Sequence, residues 1–276
     1  MPSIVIPAHN EAGAIERILE ALAPLAGDTE VVVVCNGCTD DTAERARLAA
    51  PWAKVAELAE ASKPQALNAG DITASSFPRA YLDADSDISA DAIRALFSAL
   101  TGDTLATAAT LVHDLSESSP VVRWHYAIWS RMAANNDGLN GTSAMAVSAA
   151  GRARFSSWPL LIGDDYFLDG QFSAAEKRRV PTATVVHRAP RRLRDCVSRK
   201  ARVHQGNVDV RVSGLRETHS GGGLGGALAV VRENPALAVY LPAHILVTVA
   251  ARLLARWRRW RGTGQNWYRD DGRVAA

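Results

Sequence analysis

The sequence predicts an α/β fold in which a mostly parallel sheet is flanked by helices and followed by a C-terminal helical extension. Two observations lead to this prediction. Short apolar runs alternate with helical stretches through the first part of the chain, as they do in βαβ units. The run at 30–35 is also β-branched almost throughout, which is typical of a parallel strand buried on both faces.

The first half of the chain divides into four predicted strands and four predicted helices. Apolar residues three and four apart indicate the helix at 12–22, and Thr39-Asp40-Asp41-Thr42 has the residue types that cap a second one. Pro64 suits the first turn of a third helix. The strands are predicted at 3–7, 30–35, 54–58 and 81–82, and the helices at 12–22, 42–50, from 64 and at 89–100.

The second half of the chain is less regular. Strands are predicted at 104–113, 142–147 and 179–187, and helices at 121–134, from 164 and at 191–207. His187 ends the last of these strands, where we expect a hydrogen-bonded edge residue. Residues 220–226 have the composition of a flexible linker or lid. We therefore predict a catalytic domain over 1–212 and a linker with a helical extension over 213–276.

The composition argues against several classes of protein. Lys and Arg total 31 against 29 Asp and Glu, and this net charge of +2 gives no case for a nucleic-acid partner. Three cysteines form no disulfide framework, and the N-terminus has no signal-peptide core, so a cytoplasmic location is expected. Cys35 and Cys38 have the spacing of a redox or half-zinc site, but without a second pair we favour a simple turn.

Carboxylates at alternate positions follow the strand at 81–82. Asp83 and Asp85 are separated only by a small alanine, an arrangement that can hold a hard divalent cation such as Mg²⁺ or Mn²⁺. Ligands of open α/β sheets bind beyond the carboxyl ends of the strands, so a cation here would bridge phosphate oxygens. The alternative is a solvated acidic turn that caps the helix beginning near Ser89.

The phosphate-binding loops of the common nucleotide-binding folds are absent from the sequence. No Gly-x-Gly-x-x-Gly follows the first strand and no Walker motif occurs, which argues against a dinucleotide-binding domain and a P-loop NTPase. A nucleotide site in this chain would therefore need a metal ion and Arg or Lys side chains as its phosphate ligands.

Five motifs, taken in order, resemble those of the family 2 glycosyltransferases, whose GT-A type fold has a Rossmann-like sheet. They are IVIPAHNE (4–11), VCNGCTDDT (34–42), KPQALNAG (63–70), DAD (83–85) and GDDYFL (163–168). Each motif is weak by itself, and their shared order and spacing make the resemblance specific. It covers roughly residues 3–210.

The resemblance implies a role for each matching residue. Nucleotide sugar would be bound by Pro7, Ala8, Asn10, Glu11, Asn36, Lys63, Asn68, Asp83 and Arg202. Asp85 would bind the metal with His204, and Asp165 would be the catalytic base with Asp164 as its competitor. Asn36 stands where many members have an Asp that contacts the nucleobase. An amide both donates and accepts hydrogen bonds, so the identity of the base stays open.

These roles imply a metal-dependent, inverting glycosyltransferase of the hexosyltransferase class. It would move a sugar from a nucleotide-diphosphate sugar to an acceptor hydroxyl, which is either lipid-linked or part of a soluble glycan. A nucleotidyltransferase, which shares the fold and the metal carboxylates, is one alternative. A non-catalytic nucleotide-sugar-binding protein is another, and a carboxylate-metal hydrolase would need a denser set of His and Asp ligands.

The segment at 236–255 is apolar and long enough, as a helix, to cross a bilayer, but Pro242, His244 and Arg252 interrupt it. The basic and aromatic run Arg256-Trp257-Arg258-Arg259-Trp260-Arg261 follows directly. Arg and Trp together suit an anionic membrane interface, so we predict a peripheral attachment to the cytoplasmic face. The alternative is a helix that packs on the catalytic domain and has a solvated basic end.

Overall fold

The structure is a computed structural model and describes residues 1–134, 138–215 and 224–261. Its eight strands form one sheet in the order β3-β2-β1-β4-β7-β6-β8-β5. The strands are β1 (Ser3–Ala8), β2 (Glu30–Asn36), β3 (Lys54–Leu58), β4 (Arg79–Leu82), β5 (Asp87–Ile88), β6 (Ala106–Asp114), β7 (Ala144–Val147) and β8 (Lys177–Arg188).

Ten α-helices accompany the sheet in the part of the chain that the structure describes. They are α1 (Ala12–Leu22), α2 (Thr42–Ala49), α3 (Lys63–Thr73), α4 (Ala90–Ser98), α5 (Pro120–Ala134), α6 (Ala149–Arg152), α7 (Asp164–Gly170), α8 (Leu193–Val212), α9 (Leu224–Glu233) and α10 (Leu241–Trp260). Two 3₁₀ helices span Ala23–Leu25 and Pro235–Tyr240.

The predicted fold class is confirmed. Strands β3, β2, β1 and β4 pair in parallel, and every residue of β1 and β2 is buried, as their apolar sequences predict. Parallel pairing places the carboxyl ends of these four strands at one edge of the sheet. The segments that follow β1, β2 and β4 therefore meet there, and they contain most of the predicted site residues.

The other half of the sheet is antiparallel, because β7 pairs with both β4 and β6, and β5 pairs with β8. Strand β5 and helix α6 were not predicted. They have only two and four residues, too few to show a periodic pattern. The end of the low-complexity segment also differs from the prediction, since residues 224–226 open helix α9. Residues 220–223 lie outside the described residues.

Contacts between Cα atoms divide the chain into two compact units. Unit 1 comprises residues 1–112 and 138–187, and unit 2 comprises 113–137 and 188–276. This division places α5 and α8 with the C-terminal helices, whereas the boundary predicted from the sequence lies at residue 212. The extent of the catalytic domain stays a prediction.

A buried carboxylate in unit 1 joins helix α3 to strand β4 and to the segment after β7. Asp71 accepts hydrogen bonds from Arg79 at 2.7 Å, Tyr81 at 2.7 Å, Arg152 at 2.8 Å and the Trp158 indole at 2.9 Å. Replacing it with asparagine should lower the free energy of unfolding by about 3–5 kcal/mol, because Arg79 would be left as an uncompensated buried charge. The change in the urea midpoint measures this loss.

An exposed ion pair provides the matched control. Asp91 pairs with Arg94 at 2.8 Å on the surface of α4, so its replacement with asparagine should leave the midpoint nearly unchanged. An equal effect of both substitutions would show that the buried network around Asp71 is not a special source of stability.

Candidate active site

The buried amide of Asn36 holds three segments together at the carboxyl edge of the sheet. Its Nδ2 donates to the Ala8 carbonyl at 2.8 Å, and its Oδ1 accepts from the Ser62 amide at 2.9 Å. The carbonyl oxygen of Asn36 lies 2.6 Å from Nδ1 of His9. Both ends of the amide are therefore bonded within the chain. This geometry favours a role in positioning the loops, and direct contact with a nucleobase stays a prediction.

The loops after β1 and β2 are also bonded directly to each other. Asn10 has a φ of 53°, and its Oδ1 accepts from the Thr39 amide at 2.7 Å. The amide of Glu11 donates to Oγ1 of Thr42 at 2.8 Å, which ties the start of α1 to the start of α2. Of the residues predicted to bind the nucleotide, Pro7 and Ala8 are buried, whereas Asn10 and Glu11 are half-buried beside them.

Cys35 and Cys38 form a pair of neighbouring free thiols beneath this loop. A hydrogen bond from Cys35 lowers the pKa of Cys38 to about 6, while the same contact and burial raise the pKa of Cys35. Among the residues described, no group of three or more His, Cys, Asp or Glu side chains has the arrangement of a metal site. The structure therefore adds no support for a zinc site at this pair.

Lys63 links the acidic segment after β4 to the acidic start of α7. Its Nζ lies 2.6 Å from Oδ1 of Asp83 and 2.8 Å from Oδ2 of Asp164, and all three side chains are largely buried. Burial opposes the charge on Lys63, but Asp164 and Asp83 together raise its pKa. Lys63 thus remains charged between a predicted donor-binding residue and the predicted base motif.

Asp165 is the neighbouring carboxylate on α7, and its surroundings favour the protonated form. Burial and the charge of Asp164 raise its pKa to about 6, although the hydrogen bond from the Gly141 amide and the charge of Lys63 both act to lower it. The Gly141 amide donates to Oδ2 at 2.7 Å. Gly163, which precedes α7, has a φ of 110°, a conformation that favours glycine and that sets the direction of the acidic turn. Asp165 can therefore accept a proton near neutral pH.

Asp85 has an imidazole partner that the sequence did not predict. Nε2 of His187 lies 3.3 Å from Oδ2 of Asp85, and the His187 side chain is buried. The pairing of β5 with β8 brings the two together, because Asp87 lies opposite Val186. A carboxylate beside an imidazole is a donor set that suits Mn²⁺ or Mg²⁺ in part, since oxygen and imidazole ligands both bind first-row divalent ions. This pair supplies two ligands, and a divalent metal at Asp85 stays a prediction.

Asn68 has a structural partner. Its Nδ2 donates to the Trp158 carbonyl at 3.0 Å, and its Oδ1 accepts from the Trp158 amide at 2.8 Å. Trp158 is fully buried, so this pair of hydrogen bonds fixes α3 against a buried segment. A contact between Asn68 and ribose or diphosphate stays a prediction.

Two predicted residues, Arg202 and His204, belong to helix α8 of unit 2. Burial lowers the pKa of His204, and the charges of Arg252, Arg211, Arg259 and Lys200 lower it further. Surrounding cations oppose a divalent metal ion at His204, and the metal roles of Asp85 and His204 stay predictions. In unit 1 the structure brings together two groups of predicted residues. They are Lys63, Asp83, Asp164 and Asp165 in one, and Asn36 with the loops after β1 and β2 in the other.

Comparison with protein families gives one assignment. The sequence model of the family described as Glycosyl transferase family 2 matches residues 3–156, which is more than half of the chain. No curated protein matches the chain significantly in sequence.

Solved structures share the fold. A mannosyltransferase from Pyrobaculum calidifontis, in complex with GDP-Man and Mn²⁺, is similar at a TM-score of 0.65 and 18% identity, over 93% of this chain and 87% of that chain. A glucosyl-3-phosphoglycerate synthase from Mycobacterium tuberculosis, in complex with Mn²⁺, UDP-glucose and phosphoglyceric acid, is similar at a TM-score of 0.57 and 19% identity, over 81% and 83%. At these identities the likeness shows the fold alone.

Proposed function

This chain belongs to glycosyl transferase family 2, and we propose that it moves a hexose from a nucleotide-diphosphate sugar to an acceptor hydroxyl with inversion at the anomeric carbon. The structurally similar enzymes hold GDP-Man or UDP-glucose together with Mn²⁺, which supports a nucleotide-sugar donor and a divalent metal. Family membership favours this activity over the nucleotidyltransferase, binding-protein and hydrolase alternatives.

The observation that supports the proposal most directly is the position of Asp165. An inverting transfer needs a base that removes the proton of the acceptor hydroxyl as that oxygen attacks the anomeric carbon. The carboxylate of Asp165 is buried beside Asp164, which raises its pKa and so strengthens it as a proton acceptor. Asp164 is paired with Lys63 at 2.8 Å.

The donor side of the site is assigned to the residues at the carboxyl edge of the sheet. Asp83 would contact the ribose or the sugar, and Lys63, which it binds, would lie close to the diphosphate. Asp85 would hold Mg²⁺ or Mn²⁺ with support from His187. A bound divalent ion stabilises the negative charge that collects on the departing diphosphate.

A screen of nucleotide sugars tests the proposal. Purified protein would be incubated with UDP- and GDP-linked hexoses, with Mg²⁺ or Mn²⁺ and with EDTA, and release of nucleoside diphosphate would be measured. We expect slow, metal-dependent hydrolysis of one donor even without an acceptor. Hydrolysis that EDTA leaves unchanged would contradict the metal requirement, and no release from any donor in either metal would contradict the proposed reaction.

The raised pKa of Asp165 predicts a particular pH dependence. A base works only when it is deprotonated, so kcat/KM should rise with pH and level off above about 6, the pKa of this carboxyl. An ordinary aspartate, with its pKa near 3.8, would be fully ionised well below that range. Donor binding measured by calorimetry over the same range serves as the control. A kcat/KM that stays constant down to pH ~4.5 would exclude Asp165 as the titrating base.

We also propose that the cytoplasmic protein attaches peripherally to an anionic membrane through α10. Within the described residues, Pro235–Trp260 is the one helical segment whose length and apolar composition would allow it to cross a membrane. Only 22% of its most apolar 18-residue stretch is buried. One face packs within unit 2 through Val247, Ala251 and Ala255, while the opposite face exposes apolar side chains. These are Ile245, Leu246, Val249, Leu253, Trp257 and Trp260.

Co-sedimentation with vesicles tests this attachment. The chain should sediment with vesicles of equal parts phosphatidylcholine and phosphatidylglycerol at low salt, and less so as salt rises, because Arg residues contribute electrostatically. Replacing Leu246 and Leu253 with glutamine should weaken sedimentation, whereas the same change at Leu48, an exposed leucine of α2, should not. Equal sedimentation of both variants would show that the apolar face of α10 does not contact the membrane.

A further inference from the structure

Three helices of unit 2 carry a surplus of basic side chains. Helix α8 has five Arg or Lys residues against two Asp, α10 has four Arg and α5 has two Arg, and neither α10 nor α5 contains Asp or Glu. Helix α10 packs against both α8 and α5. Apart from Arg202, which the family resemblance assigns to the nucleotide sugar, the proposed reaction uses none of these side chains, so their charge calls for a separate explanation.

Polar residues recur at every fourth position along part of α10 and part of α8. On α10 these are His244, Thr248 and Arg252, and on α8 they are Lys200 and His204. Side chains four residues apart lie on the same face of a helix. Helices α10 and α8 pack closely against each other, and Arg258 of α10 donates a hydrogen bond to Oγ of Ser198 on α8 at 2.8 Å.

Helix α5 completes the cluster. The His125 ring stacks on His244 with their centroids 4.8 Å apart and their planes 14° apart. Nζ of Lys200 lies 5.7 Å from the centroid of the Trp129 ring. We call Lys200, His204, Thr248, Arg252 and His125 the basic cluster; His244 and Trp129 pack beside it.

Two polar atoms of the basic cluster are buried without a partner. Nδ1 of His125 and Oγ1 of Thr248 form no hydrogen bond within the described chain, although both are shielded from solvent. The His125 side chain is 2% exposed. Buried polar atoms are nearly always hydrogen-bonded in native proteins, so these two atoms indicate a missing acceptor or donor.

The cations of the basic cluster also lack counter-charges. Across the described residues, neither Lys200 nor Arg252 forms an ion pair. The two carboxylates of α8 belong to other pairs, Asp195 with Arg194 at 3.2 Å and Asp209 with Arg259 at 3.6 Å. Burial and the charge of Arg252 lower the pKa of Lys200 to about 8. Cations that destabilise each other in this way would be stabilised by a bound anion.

We propose that the basic cluster binds a phosphate group. Lys200 and Arg252 would supply the charge, and Thr248 and the neutral ring of His125 would donate hydrogen bonds to further phosphate oxygens. The surrounding cations exclude a metal ion. The phosphate would belong either to a soluble phosphate ester or to a phospholipid-like headgroup.

Calorimetric titration of the full chain with inorganic phosphate tests the site. We expect saturable binding that is weakened ~10-fold or more in Lys200→Met and in Arg252→Met, the size of effect expected when one charged hydrogen-bond partner is lost. Arg131→Met is the matched control, because Arg131 is exposed on α5 and, among the described residues, donates to the carbonyl of Ala127 in its own helix. No saturable binding, or equal weakening by the control, would overturn the proposal.

Two further variants distinguish loss of the phosphate site from a packing defect and from phosphate binding at the catalytic edge. Lys200→Arg keeps the charge and should retain most of the phosphate affinity. If Lys200→Met instead weakens binding through a packing defect, its melting temperature should fall and Lys200→Arg should not restore the affinity. Lys63→Met removes the cation of the catalytic edge and should leave phosphate binding intact. If Lys63→Met alone abolishes binding, the phosphate site lies in unit 1 and the inference is wrong.

Competition then identifies the source of the phosphate. If glycerol 3-phosphate displaces inorganic phosphate while vesicles containing phosphatidic acid do not, the ligand is a soluble phosphate ester. If only the vesicles displace it, the ligand is a lipid headgroup. Either result supports the site. Binding of UDP and GDP should be unchanged in Lys200→Met and Arg252→Met. If the chain hydrolyses a donor in the presence of metal but does not bind phosphate, only the phosphate site is refuted. If it binds phosphate but hydrolyses no donor, only the proposed sugar transfer is refuted.

Discussion

Replacing Asp165 with asparagine is expected to lower the turnover of sugar transfer by about 10²–10⁴-fold, the usual contribution of a general base. The amide has nearly the same shape, and its oxygen can still accept the hydrogen bond from the Gly141 amide. It cannot take up the proton of the acceptor hydroxyl. Donor affinity should therefore stay within a few fold of the original value, and only the chemical step should slow.

The neighbouring carboxylate distinguishes a base from a structural residue. Asp164→Asn removes one of the two carboxylate partners of Lys63 and one cause of the raised pKa of Asp165. We expect a smaller loss of turnover and a shift of the kcat/KM profile to lower pH, because Asp165 would ionise more easily. Near-normal turnover in Asp165→Asn, together with a large loss in Asp164→Asn, would transfer the role of the base to Asp164.

Sequence patterns predicted the parallel half of the fold because its strands are buried on both faces. Strands β1 and β2 have apolar side chains at most positions, and such runs stand out in a sequence. The edge where these strands end could be predicted for the same reason, since parallel strands share one direction. Short elements such as β5 could not, because two residues contain no period and their pairing depends on a strand far along the chain.

Sequence motifs predict candidate site residues, but they do not predict the contacts between them. Lys63, Asp83 and Asp164 were each identified through motifs, but only the folded chain shows that one ammonium group joins the two carboxylates. The amide of Asn68 illustrates the limit, because nothing near it in sequence indicates its bonds to Trp158, 90 residues away. Contacts between distant segments follow from packing and topology, which a local pattern does not contain.

The largest effect on donor binding is expected at Asp85. Asp85→Asn should weaken Mn²⁺-dependent binding of UDP or GDP by at least ~100-fold, because removing a metal ligand should cost more than the 10–100-fold loss that follows removal of an outer-shell partner. An amide is a neutral and poor substitute for a carboxylate on a hard cation. Calorimetry with and without Mn²⁺ measures the effect, and the metal-independent part of nucleotide binding should persist.

Asp87 provides the matched control two residues further on. Its carboxylate is half-exposed and faces Arg17 at 3.6 Å, so Asp87→Asn removes the same charge from the same segment without touching the proposed metal. His187→Gln should give an intermediate loss, since its Nε2 lies beside Asp85 and either orients that carboxylate or shares the ion. A metal dependence that survives in Asp85→Asn, or one that Asp87→Asn reduces equally, would place the divalent ion elsewhere in the chain.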